Sequence, residues 1–405
     1  MNRPRTRSKV RPAAPPDDQV ARSAASAPLL TAWFPTHQRE LPWRDAPPGK
    51  RDPYRTLVSE AMLQQTQVSR VIEKFTAFID RFPTVQSLAA ADERDVLAIW
   101  AGLGYYRRAR NLHNAAKHVV SECHGKFPRD VEALLELPGV GRYTAGAIAS
   151  IATGLPAPIV DGNVTRVLLR IHGHDVDQSA PSTVKWAWEQ AGAFASGAGK
   201  AAGAANEALM ELGATVCVPG SSPRCEVCPL KAICIAHKNG VTDRIPRAKQ
   251  TKAATERTLL VLLISDRHDR VLCERRTSDG LWAGLWQPPT LEPATPTDAA
   301  CAREWLHTSN AHGLSFQASG SLVRKLTHRL MQIEVFQCQA GARAAKALLA
   351  EPLGPPGVLA TGIERRWVTR DELRALGVSN AHAAAMELGL RSEPAGITRP
   401  QRRST

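Results

Sequence analysis

No stretch of this 405-residue chain approaches the roughly 18 consecutive apolar residues that a membrane-spanning helix requires. The N-terminus is rich in Arg and Pro and lacks the apolar core of a secretory signal, so the expected location is intracellular and cytoplasmic. A transit-peptide reading has only the absence of acids from the first 16 residues in its favour. Asp17 and Asp18 follow at once, and no amphipathic pattern accompanies them. There is no internal repeat. A hydrophobic share of 43% with 22% charged residues describes globular protein, and the length is too great for one core, so two domains plus linkers are expected.

Excess charge is also scarce where the chain should fold. The net charge is +14, but residues 1–27, 236–257 and 391–405 carry +4, +4 and +3, together 11 of the 14. A basic chain invites a nucleic-acid partner through phosphate attraction. Basic tails on an otherwise balanced soluble protein would give the same total.

Of eight cysteines, Cys123, Cys273, Cys301 and Cys338 are scattered and read as buried thiols. The other four form Cys217-x7-Cys225-x2-Cys228-x5-Cys234, a loop that also holds Pro219, Gly220 and Pro223. Four thiolates so spaced can close a zinc site or ligate an iron–sulfur cluster. Zinc sites usually pair two close C-x2-C knuckles, and only one is present, which favours the cluster. A structural role suits it better than redox catalysis.

Apolar spacing predicts helices over Val68–Arg81, Glu93–Trp100, Arg108–Ser121, Val131–Leu137 and Thr144–Thr153. Residues 28–235 therefore read as an all-α domain, behind a disordered basic tail, residues 1–27. Gly192, Gly197 and Gly199 in the Ala-rich stretch Ala191–Ala205 read as a loop between helices. Residues 236–257 read as an interdomain linker. Thr258–Ile264 and Val271–Glu274 around the polar Ser265–Arg270 predict strand–turn–strand, Leu330–Gln337 alternates as a strand, and Thr297–Leu306 reads as a helix. Residues 258–390 thus form an α+β domain, and 391–405 a disordered tail.

Three features could carry chemistry. Leu137-Pro138-Gly139-Val140-Gly141 lies between two helical patterns. It reads either as a hairpin gripping a phosphate backbone at Gly139, Val140 and Gly141, or as an ordinary helix–helix turn. Asp161, ahead of the helical run Val164–Ile171, reads either as an N-cap or as a catalytic carboxylate, and Asn163 could itself be the cap. Glu60, among Val58, Met62 and Leu63, reads either as a solvated helix-face residue or as a partly buried general acid.

Together with Leu41-Pro42-Trp43-Arg44, Ser59–Val68 and Gly102-Leu103-Gly104-Tyr105-Tyr106, these motifs resemble the MutY-type adenine DNA glycosylases, over about residues 28–390. The resemblance implies an all-α helix-hairpin-helix glycosylase domain with one [4Fe–4S] cluster on Cys217, Cys225, Cys228 and Cys234. It implies a nucleoid-associated monomer acting on duplex DNA with adenine opposite 8-oxoguanine or guanine. Glu60 would protonate adenine and Asp161 would stabilise the oxocarbenium-like sugar, with Tyr143 and Asn163 orienting them. Arg44, Trp43, Leu63 and Glu207 would surround the base, and Gln65 with one of Tyr105 or Tyr106 would wedge into the duplex.

The alternative is an endonuclease III-like bifunctional pyrimidine glycosylase and lyase. Those enzymes carry a lysine nucleophile in the hairpin, where this chain has Tyr143, and a neutral phenol forms no Schiff base. The C-terminal domain resembles a Nudix fold that reads 8-oxoguanine. Asp298 and Glu304 alone stand where hydrolases bear a glutamate-rich metal helix, so binding without hydrolysis is expected. Family members often show Phe-Ser-His at the lesion. Here Leu326-Thr327-His328 keeps the hydroxyl and the imidazole but has no aromatic wedge.

Overall fold

The computed structural model describes residues 16–220, 223–248, 254–277, 280–308, 313–326, 328–350 and 362–391. The chain forms two compact units: residues 1–91 with 107–250, and residues 92–106 with 251–405.

The first unit is helical. The helix Val68–Arg81 buries Val71, Phe75, Phe78 and Ile79, a single stripe at helical spacing. The helix Pro53–Leu63 starts behind Asp52, whose carboxylate accepts from the Tyr54 N–H, with proline at its first position. It is buried on most sides, from Thr56 through Met62. After the hairpin, the helix Arg142–Ala147 runs on through one π-type turn, Ile148–Ala152. Gly162–His172 follows, capped by Asp161 and ended by Gly173 at φ 67°. Its inner face packs with Phe194, Leu209, Leu212 and Leu230 into one core.

Several expectations are corrected. Cys273 and Cys338 are buried as expected, but Cys123 is half-buried and Cys301 is exposed. Residues 16–27 are not a disordered tail but part of the helix Pro16–Trp33. Ser23 and Ser26 are fully buried there, and the Ser23 hydroxyl donates to Gln190 Oε1 at 2.8 Å. Small residues at helical spacing let this helix pack closely, a signal that the Arg/Pro-rich composition hid. Gly192 and Gly197 do not mark a loop: the helix Pro181–Ala198 runs through both, and the break falls at Gly199. A Cβ on Gly197 would lie 2.6 Å from the Ala24 carbonyl oxygen, so glycine is needed for the close approach of the two helices. The start of the expected linker is folded too. Ala236 and Ile245 are buried, and the Arg247 N–H donates to the Val176 carbonyl at 3.0 Å.

The second unit is built on a seven-stranded sheet: β1 Thr255–Asp266, β2 Val271–Arg276, β3 Trp286–Gln287, β4 Thr290–Leu291, β5 Gln317–Lys325, β6 Arg329–Ala340 and β7 Gly362–Val368. The main order is β3-β2-β1-β6-β5, with β4 on β1 and β7 on β2. The central pair β1–β6 is parallel and the other pairs are antiparallel. β1 is apolar throughout its middle because both of its faces are covered. Leu260, Leu262 and Ile264 meet Ala302 and Leu306 of the helix Pro296–Thr308. Leu259, Val261 and Leu263 meet Ala381, Ala385 and Met386 of the helix Asn380–Arg391. Residues 92–106, expected in the helical half, group with this unit. The Tyr106 hydroxyl donates to the Val378 carbonyl at 2.8 Å. No helix among the described residues is long and apolar enough to cross a membrane.

Candidate active site

Glu60 lies on the Pro53–Leu63 helix and is only 6% exposed. The Tyr143 hydroxyl donates to its Oε2 at 2.7 Å. Burial pushes the Glu60 carboxyl up to about 7. The Tyr143 hydrogen bond opposes the rise, the negative charges of Glu207 and Asp161 add to it, and Arg44 opposes it. Tyr143 is driven well above the usual phenol range, first by burial and then by the charges of Glu60 and Asp161. It is a neutral donor at any physiological pH. Its position follows from the hairpin, which places it at the second residue of the Arg142–Ala147 helix, against Ala147, Ile151 and Ile159.

Asp161, and not Asn163, is the N-cap of the Gly162–His172 helix. Its Oδ1 accepts from the Val164 N–H at 2.7 Å, as an N-cap does, while Oδ2 accepts from Asn163 Nδ2 at 3.2 Å. Burial raises its pKa, and these hydrogen bonds, with the charge of Arg166, restrain the rise. Asn163 is held in turn by Arg166, whose Nη2 donates to Asn163 Oδ1 at 2.9 Å.

Beside this pair stands a buried ion network that sequence reasoning only half found. Arg44 donates to Glu207 Oε1 at 3.2 Å and to Glu211 Oε2 at 2.9 Å. Arg39 makes a bidentate pair with Glu211 at 2.6 and 3.0 Å. Arg51 reaches Glu207 Oε1 at 2.5 Å from the loop that precedes the Pro53–Leu63 helix. Arg39, Arg51 and Glu211 were missed because each meets its partner only through long-range packing. The one available signal was the arginine-rich segment Arg39–Arg55. Glu207 Oε2 is buried with no hydrogen-bond partner, a free acceptor beside Glu60.

Trp43 is buried edge-on against Phe75, with ring centroids 5.5 Å apart. Leu63 is half-buried at the helix end. Gln65, exposed just beyond, has a left-handed backbone at φ 56°. In the hairpin, Gly139 has φ 75°, and a Cβ there would strike Asn111 at 2.4 Å, so only glycine fits. Val140 is buried and Gly141 caps the next helix. In the second unit the two tyrosines differ sharply. Tyr105 is 48% exposed with φ 49°, whereas Tyr106 is a core residue. His328 is exposed, and Thr327 lies outside the described residues.

Cys217, Cys225, Cys228 and Cys234 all line one small cavity of ≈ 20 Å³. Arg170 Nη1 donates to Cys217 Sγ at 3.3 Å and to the Val218 carbonyl at 2.8 Å. Arg166 Nε donates to the Cys217 carbonyl at 2.8 Å. Among the described residues no three His, Cys, Asp or Glu side chains converge closely enough to hold a single metal ion.

The profile of the HhH-GPD superfamily base excision DNA repair proteins matches residues 58–191, and that of the NUDIX domain matches residues 260–388. The adenine DNA glycosylase of Homo sapiens is 32% identical over 415 residues, spanning 89% of this chain and 73% of its own length. That of Schizosaccharomyces pombe is 31% identical over 431 residues, spanning 93% and 90%. That of Mycolicibacterium smegmatis is 42% identical over 241 residues, spanning 56% and 75%.

Proposed function

The chain belongs to the adenine DNA glycosylase family of base-excision repair enzymes, and from that premise we propose how its pocket works and on which mismatch. The enzyme hydrolyses the N-glycosyl bond of adenine in DNA. The adenine attacked is the one opposite 8-oxoguanine or guanine in a duplex, and the enzyme acts as a monomer wherever the nucleoid DNA is.

The observation that carries the mechanism is a buried glutamic acid poised near neutrality, 2.7 Å from a phenol donor. Adenine leaves the stack and enters the pocket. Glu60, about half protonated near pH 7, gives its proton to a ring nitrogen of adenine. The C1′–N9 bond then breaks with its electron pair going to the neutral base. Asp161, fixed by its own helix and by Asn163, faces the positive sugar or bonds to C1′. Glu60, now a carboxylate, takes a proton from the attacking water, which restores both carboxyl groups. Glu207 Oε2 suits the exocyclic amine of adenine, while Arg44, Trp43 and Leu63 shape the rest of the pocket. The turn Gly139, Val140 and Gly141 grips a DNA phosphate through the backbone N–H groups of its two glycines, the Val140 N–H being held by the Leu137 carbonyl at 3.0 Å.

Gln65 is the wedge of the helical unit, and Tyr105 rather than the buried Tyr106 is the tyrosine available to intercalate. Tyr143 forms no imine, so strand cleavage by this route is not expected. Thr327 and His328 contact the 8-oxoguanine.

The four cysteines fit a [4Fe–4S] cluster. All four line one cavity, as ligands of one shared cluster would. Arg166 and Arg170 supply positive charge beside a set that is anionic when loaded. Bound there, the cluster would hold the loop as a structural staple.

Base release from duplexes with adenine opposite 8-oxoguanine, guanine and thymine tests this function. Release is expected from the first two and not from the third, and abasic strands should break only after alkali. Equal release from all three would refute the assigned mismatch.

A further inference from the structure

Arg108 lies on the helix Arg107–Ser121 and none of the chemistry above uses it. Its guanidinium nonetheless bonds to four groups within one short stretch of chain. Nη1 donates to the carbonyls of Ala61 at 2.9 Å and Met62 at 3.0 Å, and also to that of Gln64. Nη2 donates to the Thr66 hydroxyl at 3.0 Å. These groups surround the C-terminal end of the Pro53–Leu63 helix, where the last carbonyls have no partners within the helix.

A helix end usually meets this need with a left-handed glycine. Here the left-handed residue is Gln65, at φ 56°. L side chains rarely adopt that conformation, and it persists only where the surroundings enforce it. Glycine would relieve the strain but would leave no side chain to insert. The chain keeps the side chain, and a single cation ties the carbonyls on one side of it to the hydroxyl on the other. A planar guanidinium can hold several acceptors in fixed directions, which an ammonium cannot.

We propose that Arg108 is a positioning residue for base flipping: it pre-sets the Gln64–Thr66 turn so that Gln65 is presented to the duplex before DNA arrives. The same grip joins the wedge to the helix that carries Glu60, so insertion and proton donation share one rigid element. This rests on the reading of Gln65 as the wedge.

The test is stopped-flow fluorescence of 2-aminopurine beside the target adenine, together with single-turnover base release. R108Q is expected to slow flipping and release at least about tenfold. The alkaline limb of its pH–rate profile should stay near 7, because R108Q leaves in place the main influences on Glu60, which are its burial, Tyr143, Glu207, Asp161 and Arg44. Q65A should slow flipping comparably, and R108Q/Q65A should be no slower than Q65A alone, because the arginine acts through the glutamine. R108K should recover only part of the rate.

Wild-type flipping in Q65A would remove the wedge reading and with it this role for Arg108. Slow flipping in Q65A with wild-type flipping in R108Q would leave the wedge intact and overturn the Arg108 proposal alone. Full additivity of the two losses would overturn it as well. If R108Q does not fold, T66V removes the Nη2 contact together with the long 3.4 Å bond from the Thr66 hydroxyl to the Gln64 carbonyl. It should slow flipping a few-fold at an unchanged melting temperature, and an unchanged rate would count against the proposal.

Discussion

Glu60 and Glu211 are the same residue type, each almost wholly buried in the helical unit, yet they titrate in opposite directions. Glu60 has one phenol for a partner and negative neighbours, and its carboxyl is pushed up to about 7. Burial also acts to raise Glu211, but two arginines outweigh it and hold that carboxyl below the usual range. Burial alone therefore does not leave a carboxyl raised. Burial without a guanidinium in direct contact does, and the two carboxyls differ in this within one set of helices.

Removing the acid gives the largest expected effect. Glu60→Gln keeps the shape but cannot donate a proton, so single-turnover adenine release should fall by about 10²–10⁴-fold. Binding to the mismatched duplex, measured by fluorescence anisotropy, should persist. Full turnover would show that the raised carboxyl has no role.

The cation-stabilising role proposed for Asp161 is separable from its helix cap, because asparagine caps as well as aspartate. Asp161→Asn should slow release by about 10²-fold, on the scale of one electrostatic contact in a dry site. The melting temperature should barely move. A large fall in stability with normal turnover would reduce Asp161 to a cap.

The same burial has a cost in stability, and its sign is fixed. A carboxyl raised from 4.5 to about 7 is protonated in both states below pH 4.5 and ionised in both above 7. Stability is therefore lost as pH rises through this window, by about 3 kcal/mol in total. Glu60→Gln should exceed wild type by about that much in urea melts at pH 8, with the gap closing towards pH 4.5. No pH-dependent gap would mean that the carboxyl is not raised. Tyr143→Phe should move the alkaline limb of the rate profile upward, since the phenol hydrogen bond lowers the Glu60 pKa. The smallest effect is expected in the second unit. His328→Ala should reduce the preference for 8-oxoguanine over guanine a few-fold, read as the ratio of release rates.

Local order was legible where one period dominated. The helix Val68–Arg81 and the apolar middle of β1 follow their sequence patterns closely. The residues 16–27 were not legible, because a helix buried through Ser and Ala has no apolar stripe to read. The grouping of residues 92–106 with the second unit depends on contacts such as Tyr106 to Val378, which no local pattern encodes.

The site divides in the same way. Asp161 and the cysteines stand in local motifs. Arg51 meets Glu207, and Arg108 meets Ala61 and Met62, only because packing brings distant segments together. Neither arginine stands in a motif that names its partner. Glu60 stood between the two cases: its apolar neighbours showed, but its phenol partner 83 positions away did not.

The most direct test is the pH dependence of single-turnover adenine release from a duplex bearing adenine opposite 8-oxoguanine. If Glu60 is the acid, the rate is level at mildly acidic pH and falls tenfold per unit above about 7. In Glu60→Gln the residual rate loses that limb. A wild-type profile that stays level to pH 9, or a limb near 7 that survives in the variant, would contradict the assignment.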